Sequence, residues 1–353
     1  MVHLEEVKPV KMGIAGCGGI TPSMLAGIRG VPELEVIAVQ DIDAGAAERV
    51  ASEFSIARHH RNYADLLADD IELVVINTPN DMHKPMALEA VAAGKHCMVQ
   101  KPLARNVIEA QEMVDAAKSA GRLLGVVMLE RCDPIYRQIR SMVQAGCFGR
   151  ITVLSAALAH VNHLRRPPSP DNWRSSPERI GGGSFIQLAI HHLDIAQFIL
   201  DRKIAQVTAL TTSMIEPDRF PKDETTAAVV KFHDGTLGVF LSSFATMRDS
   251  LELFGTDGMI TRADEGVRWQ TSELFAGEVW DSGRVGEIHE LSMPDLANKV
   301  MQLMPQYEPH RLFAHAIRGT APLETPGEIG VQTLKVVEAV RRSAEENRAI
   351  SIE

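Results

Sequence analysis

The sequence predicts an α/β protein in two parts, and three observations carry that prediction. Strand-like and helix-like segments alternate from Val10 to about residue 128. A glycine turn, Gly16-Cys17-Gly18-Gly19, joins the first strand to the first helix. After Gly149 the apolar runs lengthen, alternate and become β-branched. Alternating strands and helices imply a parallel sheet, whereas alternation along longer strands implies an antiparallel sheet with one covered face. The boundary falls near 128, giving residues 1–128 and 129–353 as the two domains, and 353 residues suffice for both.

Val10 to Ala15 is the first apolar run, and the helix after the glycine turn spans about Pro22 to Arg29. Val36 to Val39 forms a second strand that ends in polar Gln40 and Asp41, and Asp43 caps an alanine-rich helix reaching about Phe54. Leu73 to Asn77, His96 to Val99 and Leu123 to Met128 are further strands, each preceded by helical periodicity. In the second half, Ile151 to Ala159, Ile204 to Thr212, Thr226 to Phe232 and Thr236 to Phe244 read as strands. Ser184 to Leu200 and Val331 to Asn347 read as helices. Residues 160 to 183 hold four prolines and end in Gly181-Gly182-Gly183, a long loop of the kind that carries function.

Composition narrows the classes. A net charge of -10 opposes attraction to nucleic-acid phosphates. Cys17, Cys97, Cys132 and Cys147 are too scattered for a zinc knuckle or a disulfide framework. The amino-terminal MVHLEEVKPVKMGIAG is acidic where an export signal starts basic, so a cytoplasmic protein is expected. No apolar run approaches the ~18 residues of a membrane span.

The glycine turn carries the first chemistry. Gly16, Gly18 and Gly19, with Ile20 opening the helix, let backbone amides approach a pyrophosphate at a positive helix end. Thr21 stands where the GxGxxG fingerprint has its third glycine, but the strand–turn–helix context is that of a dinucleotide-binding Rossmann domain. Asp41 ends the next strand 23 positions after Gly18, placed to bond ribose hydroxyls and repel a 2'-phosphate, which favours NAD over NADP. The other reading of Asp41 is a cap for the following helix.

Residues Ile76 to Ala104, INTPNDMHKPMALEAVAAGKHCMVQKPLA, resemble the Gfo/Idh/MocA oxidoreductase family. The resemblance extends through Gly146 to Ile151, Trp173-Arg174 and GGGSFIQLAIHHLD at 181–194 to the helix around Ala339. It implies a Rossmann domain plus a C-terminal α/β domain with an open, mainly antiparallel sheet, and a homodimer or homotetramer. It also implies that Thr78, Pro79, Asn80 and His83 line the nicotinamide side of the cofactor, that Gln100, where the family has glutamate, and Lys101 also border the cofactor, and that Lys101 reaches the reaction centre. A lysine at the carboxyl end of a parallel strand faces the crevice of such folds and polarises an oxygen there.

Further along, the resemblance puts Gln187 where the family has aspartate and keeps His191, the candidate general base; positions 187 and 191 share a face of a helix, so both address one substrate hydroxyl. Glutamine bonds a hydroxyl but takes no proton at neutral pH. Asp194 binds a substrate hydroxyl, orients a neighbour or is a buried structural carboxylate, and His192 reads as structural. Arg131, Trp173 and Arg174 border the expected cleft, and Arg131, Arg165, Arg166 and Arg174 are the cations available to grip an anionic group. His160 with His163, and His59 with His60, lack the companions a metal site needs, so no metal is expected.

The expected activity is reversible NAD-dependent oxidation of a secondary alcohol on a sugar, sugar derivative or cyclitol. Two alternatives stay open: a non-catalytic NAD-binding sensor of sugar or redox state, and a redox-neutral epimerase or lyase with tightly held NAD.

Overall fold

The computed structural model describes residues 8–161, 172–215, 217–218, 220, 223–264, 266–271, 288–292 and 308–352. The chain divides into two compact units, Met1–Leu129 with Pro305–Val331, and Glu130–Met304 with Gln332–Glu353.

Among the described residues of the first unit six strands form a sheet: β1 Val10–Ala15, β2 Leu34–Gln40, β3 Arg58–His60, β4 Leu73–Ile76, β5 His96–Val99 and β6 Leu124–Val126. Every pairing is parallel, in the order β3-β2-β1-β4-β5-β6. Strands covered on both faces must be apolar at every position, and all four residues of β4 are fully buried. The order reverses between β1 and β4, the switch point where doubly wound sheets bind ligands. Asp43 accepts from Gly45 N at 3.0 Å and starts the helix Ala44–Phe54, the role the sequence assigns it.

One segment departs from a single cut near 128. The helix Pro309–Ile317 sends Phe313 and Ala314 into the core that holds Met12, Ile14 and Val75. A Cβ on Gly125 would sit 2.5 Å from the Phe313 ring, and Val126 N donates to Thr325 O at 2.9 Å. This late segment therefore completes the first core, rather than belonging wholly to the second domain.

In the second unit the described residues form a nine-stranded sheet, order β14-β13-β12-β11-β7-β10-β9-β8-β15. The strands are β7 Ile151–Ala159, β8 Ile204–Thr212, β9 Thr225–Phe232, β10 Leu237–Ser243, β11 Arg248–Gly255, β12 Gly258–Ala263, β13 Gly266–Thr271, β14 Ile288–Ser292 and β15 Ile350–Ser351. All pairings are antiparallel except β7 with β10. β8 to β10 alternate as expected: Val207, Ala228, Val230 and Phe240 are buried, while Leu210, Val229, Val239 and Leu241 on the other face are 37–71% exposed. Ala209 N donates to Ser343 Oγ at 3.0 Å, tying β8 to the helix Gly327–Glu346.

The helix expected from Ser184 begins as a π-helical turn, Phe185–Ala189, and continues as α-helix, Ile190–Leu200. Its start is held by Asp223, whose carboxylate accepts from Gly183 N, Phe185 N and Ser184 Oγ at 3.1–3.3 Å. That approach explains the glycine run, because a Cβ on Gly183 would lie 2.0 Å from Asp223 O. Gly181, at φ 89°, closes the preceding turn in the left-handed region.

Candidate cofactor and catalytic sites

The glycine turn is built for close approach. Gly16 has φ 94°, and a Cβ there would come within 2.7 Å of Asn77 O, so only glycine passes beneath the end of β4. At Gly18 and Gly19 a Cβ would meet nothing within 4 Å, so the turn has an open face. Gly19 starts the helix Ile20–Gly27 without a side-chain cap; Thr21 N turns back to Gly18 O at 3.1 Å, and the N–H groups ahead of it are those an anion would meet.

Thr21, the departure from the glycine fingerprint, is fully buried and braces the turn. Its hydroxyl donates to Gly16 O at 2.6 Å and accepts from Asn77 Nδ2 at 3.0 Å. Asp41 accepts from Cys17 N at 2.7 Å and from Asp43 N at 2.9 Å, which locks the end of β2 against the turn. Each carboxylate oxygen still has a lone pair for a ribose hydroxyl. Asn77 Oδ1 and Thr78 Oγ1, at the carboxyl end of β4, are shut from solvent without a hydrogen-bond partner among the described residues. Open glycines, an uncapped helix start, a poised carboxylate and orphaned polar atoms at the switch point together fit a dinucleotide.

Beyond β4, Pro79 precedes the helix Asn80–Ala92, whose first residue Asn80 is buried. His83, expected beside the nicotinamide, is held by backbone on both ring nitrogens. Its ring is fully buried between Pro102 O, 2.9 Å from Nδ1, and Thr78 O, 3.1 Å from Nε2. Burial pushes its pKa below the ordinary imidazole value, and a neutral ring donates from one nitrogen. His83 therefore positions the loop carrying Lys101. Gln100 Oε1 accepts from Lys101 N at 3.0 Å, a backbone clamp that needs no charge. Lys101 itself is half-buried, and the peptide to Pro102 is cis.

The second unit carries the other candidates. Gln187 is buried in the π turn, and its amide donates to Ile180 O at 3.5 Å. His191 lies in the first α turn, half-buried, with Nδ1 2.7 Å from Glu130 Oε1 but out of line for a formed hydrogen bond. Glu130 escaped sequence reasoning, since nothing local links it to a histidine 61 residues later.

Arg131 and Asp194, both expected among the substrate-binding residues, are paired with each other. Arg131 Nε and Nη2 reach Asp194 Oδ2 and Oδ1 at 2.7 and 2.8 Å, with side chains only 14% and 2% exposed. The guanidinium also lies 5.0 Å from the Phe198 ring centre. Burial raises the Asp194 carboxyl above its ordinary value, and the Arg131 charge works against that rise. The fork onto Arg131 fits both a structural carboxylate and one that orients a neighbour.

Trp173 is half-buried against a small core containing Ile180, Leu188, Phe220 and Phe244, and the Arg174 guanidinium lies 4.3 Å over its ring. That stacking turns Arg174 toward Trp173. His163, Arg165 and Arg166 lie outside the described residues. His60 Nε2 is 2.8 Å from Asp69 Oδ2. Among the described residues no group of three or more His, Cys, Asp or Glu is arranged for a metal ion, and no helix is long and apolar enough to cross a membrane.

His192 sits in a structural network, with Nε2 3.2 Å from Asp249 Oδ1 and Arg262 on the other Asp249 oxygen. Burial alone would raise the Asp249 carboxyl, but His192 and Arg262 bring it down to about 2. Because the folded value lies below the unfolded 3.8, the contribution is fully present above about pH 5 and fades as pH falls toward 2. Its size is about 1–2 kcal/mol after discounting for partial solvent screening. Urea unfolding should show Asp249→Asn less stable than the parent at pH 7, with the gap closing toward pH 2. A gap independent of pH would refute this assignment.

Two family models match the chain. The oxidoreductase family with NAD-binding Rossmann fold covers residues 10–128, and the GFO/IDH/MocA C-terminal domain covers 136–261. The chain is 30% identical over 347 residues to the uncharacterized oxidoreductase ORF334 of Rhizobium meliloti, spanning 95% of this chain and 97% of that one. It is 26% identical over 347 residues to the 1,5-anhydro-D-fructose reductase of Ensifer adhaerens, spanning 97% and 98%. Among solved structures, the WlbA dehydrogenase of Bordetella pertussis, in complex with NADH and UDP-GlcNAcA, superposes with a TM-score of 0.78. It is 22% identical and covers 98% of this chain and 99% of its own.

Proposed function

The chain belongs to the Gfo/Idh/MocA oxidoreductase family, and from that premise we propose a dehydrogenase for an uncharged sugar, sugar derivative or cyclitol. The family is one of NAD-binding oxidoreductases whose named relatives include a 1,5-anhydro-D-fructose reductase and a myo-inositol 2-dehydrogenase; the finer claim concerns this chain's substrate and residues. The observation that carries it is the pairing of Arg131 with Asp194. A cation the sequence offers for gripping phosphate is neutralised, and Glu130 beside His191 adds a negative charge. Such surroundings favour hydroxyl-rich neutral substrates over phosphorylated or nucleotide-linked ones.

NAD held at the glycine turn supplies the hydride acceptor at nicotinamide C4. In this reading His191 takes the hydroxyl proton and passes it to solvent. The Lys101 ammonium stabilises the developing alkoxide, and Gln187 hydrogen-bonds the substrate without exchanging a proton. The exposed apolar row on β9 and β10 is the surface a second copy covers in the homodimer or homotetramer we infer. A monomer mass by light scattering at micromolar concentration would remove that inference.

NADH absorbance read against a panel of free sugars, cyclitols and their phosphate esters tests the function. Reduction of NAD with a neutral member, at a kcat/KM at least roughly tenfold above its phosphate ester, is the expected result. Preference for the ester would refute the neutral-substrate claim. Silence with NAD still bound would favour the sensor or the redox-neutral epimerase or lyase.

A further inference from the structure

We propose that Glu130 is the positioning carboxylate of His191, supplying from a separate turn the negative charge that Gln187 cannot. The proposal rests on the reading of His191 as proton acceptor. Glu130 belongs to the 3-10 turn Leu129–Cys132, and its neighbours hold that turn in place. Arg131 forks onto Asp194, Cys132 is buried, and Asp133 accepts from Ile135 N at 2.7 Å to cap the helix Pro134–Gln144. A glutamate so fixed keeps its carboxylate beside one ring nitrogen instead of sweeping through solvent.

The neighbouring charges have their own partners. Arg131 serves Asp194, and His192 with Arg262 serves Asp249. Glu130 is the carboxylate that the geometry brings to His191, at 2.7 Å. Catalytic hydrogen bonds are commonly long or poorly aligned in the free enzyme and tighten once substrate binds. With its proton on Nδ1 facing Glu130, the ring offers the Nε2 lone pair to a substrate hydroxyl. The carboxylate then stabilises the imidazolium that forms, as the buried carboxylate does in a Ser-His-Asp triad.

The test compares the full chain with E130Q, which keeps the shape, and E130D, which keeps the charge. Nitrogen-15 NMR of the His191 ring should show the Nδ1–H tautomer in the parent and in E130D, and a mixture of tautomers in E130Q. In steady-state assays E130Q should lower kcat by about tenfold to a hundredfold with the KM for NAD unchanged. The acid limb of its kcat/KM profile should differ from the parent's, because the carboxylate charge 2.7 Å from the ring nitrogen is gone. E130D should restore part of the rate.

An unchanged tautomer and an unchanged pH profile in E130Q would overturn the proposal. If E130Q fails to fold, a tautomer and pH profile in E130D identical to the parent's support it, and loss of both overturns it. A tautomer that shifts in E130Q while the pH profile stays fixed would instead overturn the reading of His191 as base, so the two failures are distinguishable.

Discussion

Asp194→Ala is expected to destabilise the protein by roughly 3–5 kcal/mol, because it leaves the Arg131 guanidinium buried without its carboxylate. Arg131 is 14% exposed and Asp194 2%, so water cannot replace the missing partner. Losses of that size consume a large share of the 5–15 kcal/mol typical of a folded domain. Asp194→Asn keeps one acceptor and the volume and should lose less. Removing both charges with Arg131→Met and Asp194→Ala should recover part of the loss, since no charge is then stranded. Urea unfolding of the four proteins at pH 7 decides it: a loss below about 1 kcal/mol in Asp194→Ala would refute the buried-pair account. Asp194 lies on the helix Ile190–Leu200 that also carries His191, so the same variant should lose activity.

That pair also marks what the sequence makes legible. Arg131 and Asp194 are both visible as charged residues, but their contact joins positions 63 apart, and no local pattern reports it. The same holds for Glu130 with His191 and for Asp223 with the start of the π turn. Backbone demands are easier to read. Gly16 and Gly183 must be glycine because neighbouring backbone occupies the space of a Cβ, and such needs leave a residue type in the sequence.

The fold follows a similar rule. β4 is an apolar run because both faces are covered, β1 and β5 are apolar apart from Lys11 and His96, and β8 to β10 alternate because one face is covered, so these strands are predictable. The edge strand β3, Arg-His-His, has neither signature. β11 and β12 mix charge with apolar residues because Asp249 and Arg262 turn into the network with His192, which breaks the alternation. The π turn at 185–189 is likewise hidden, because its five residues are all buried and show no face. Spacing rules that assume 3.6 residues per turn therefore do not apply to Gln187 as they do to the residues after Ile190.

Lys101→Ala and His191→Asn are each expected to lower kcat by on the order of 10²–10⁴-fold while leaving NAD affinity near the parent value. Neither side chain belongs to the glycine turn or to Asp41, so binding and turnover should separate. Lys101→Arg should not rescue, because the wider guanidinium places its charge differently from a compact ammonium. If the two groups serve one step, the double variant should fall little below the worse single variant, since removing either already disables proton and charge transfer together. Losses that multiply would assign them to different steps. NAD binding measured by fluorescence beside stopped-flow turnover makes the distinction: a parent that turns over and variants that retain NAD but not rate assign both residues to the chemistry. Equal rates in parent and variants would return Lys101 to the ordinary role of a half-buried surface lysine, and His191 to that of a histidine held by Glu130.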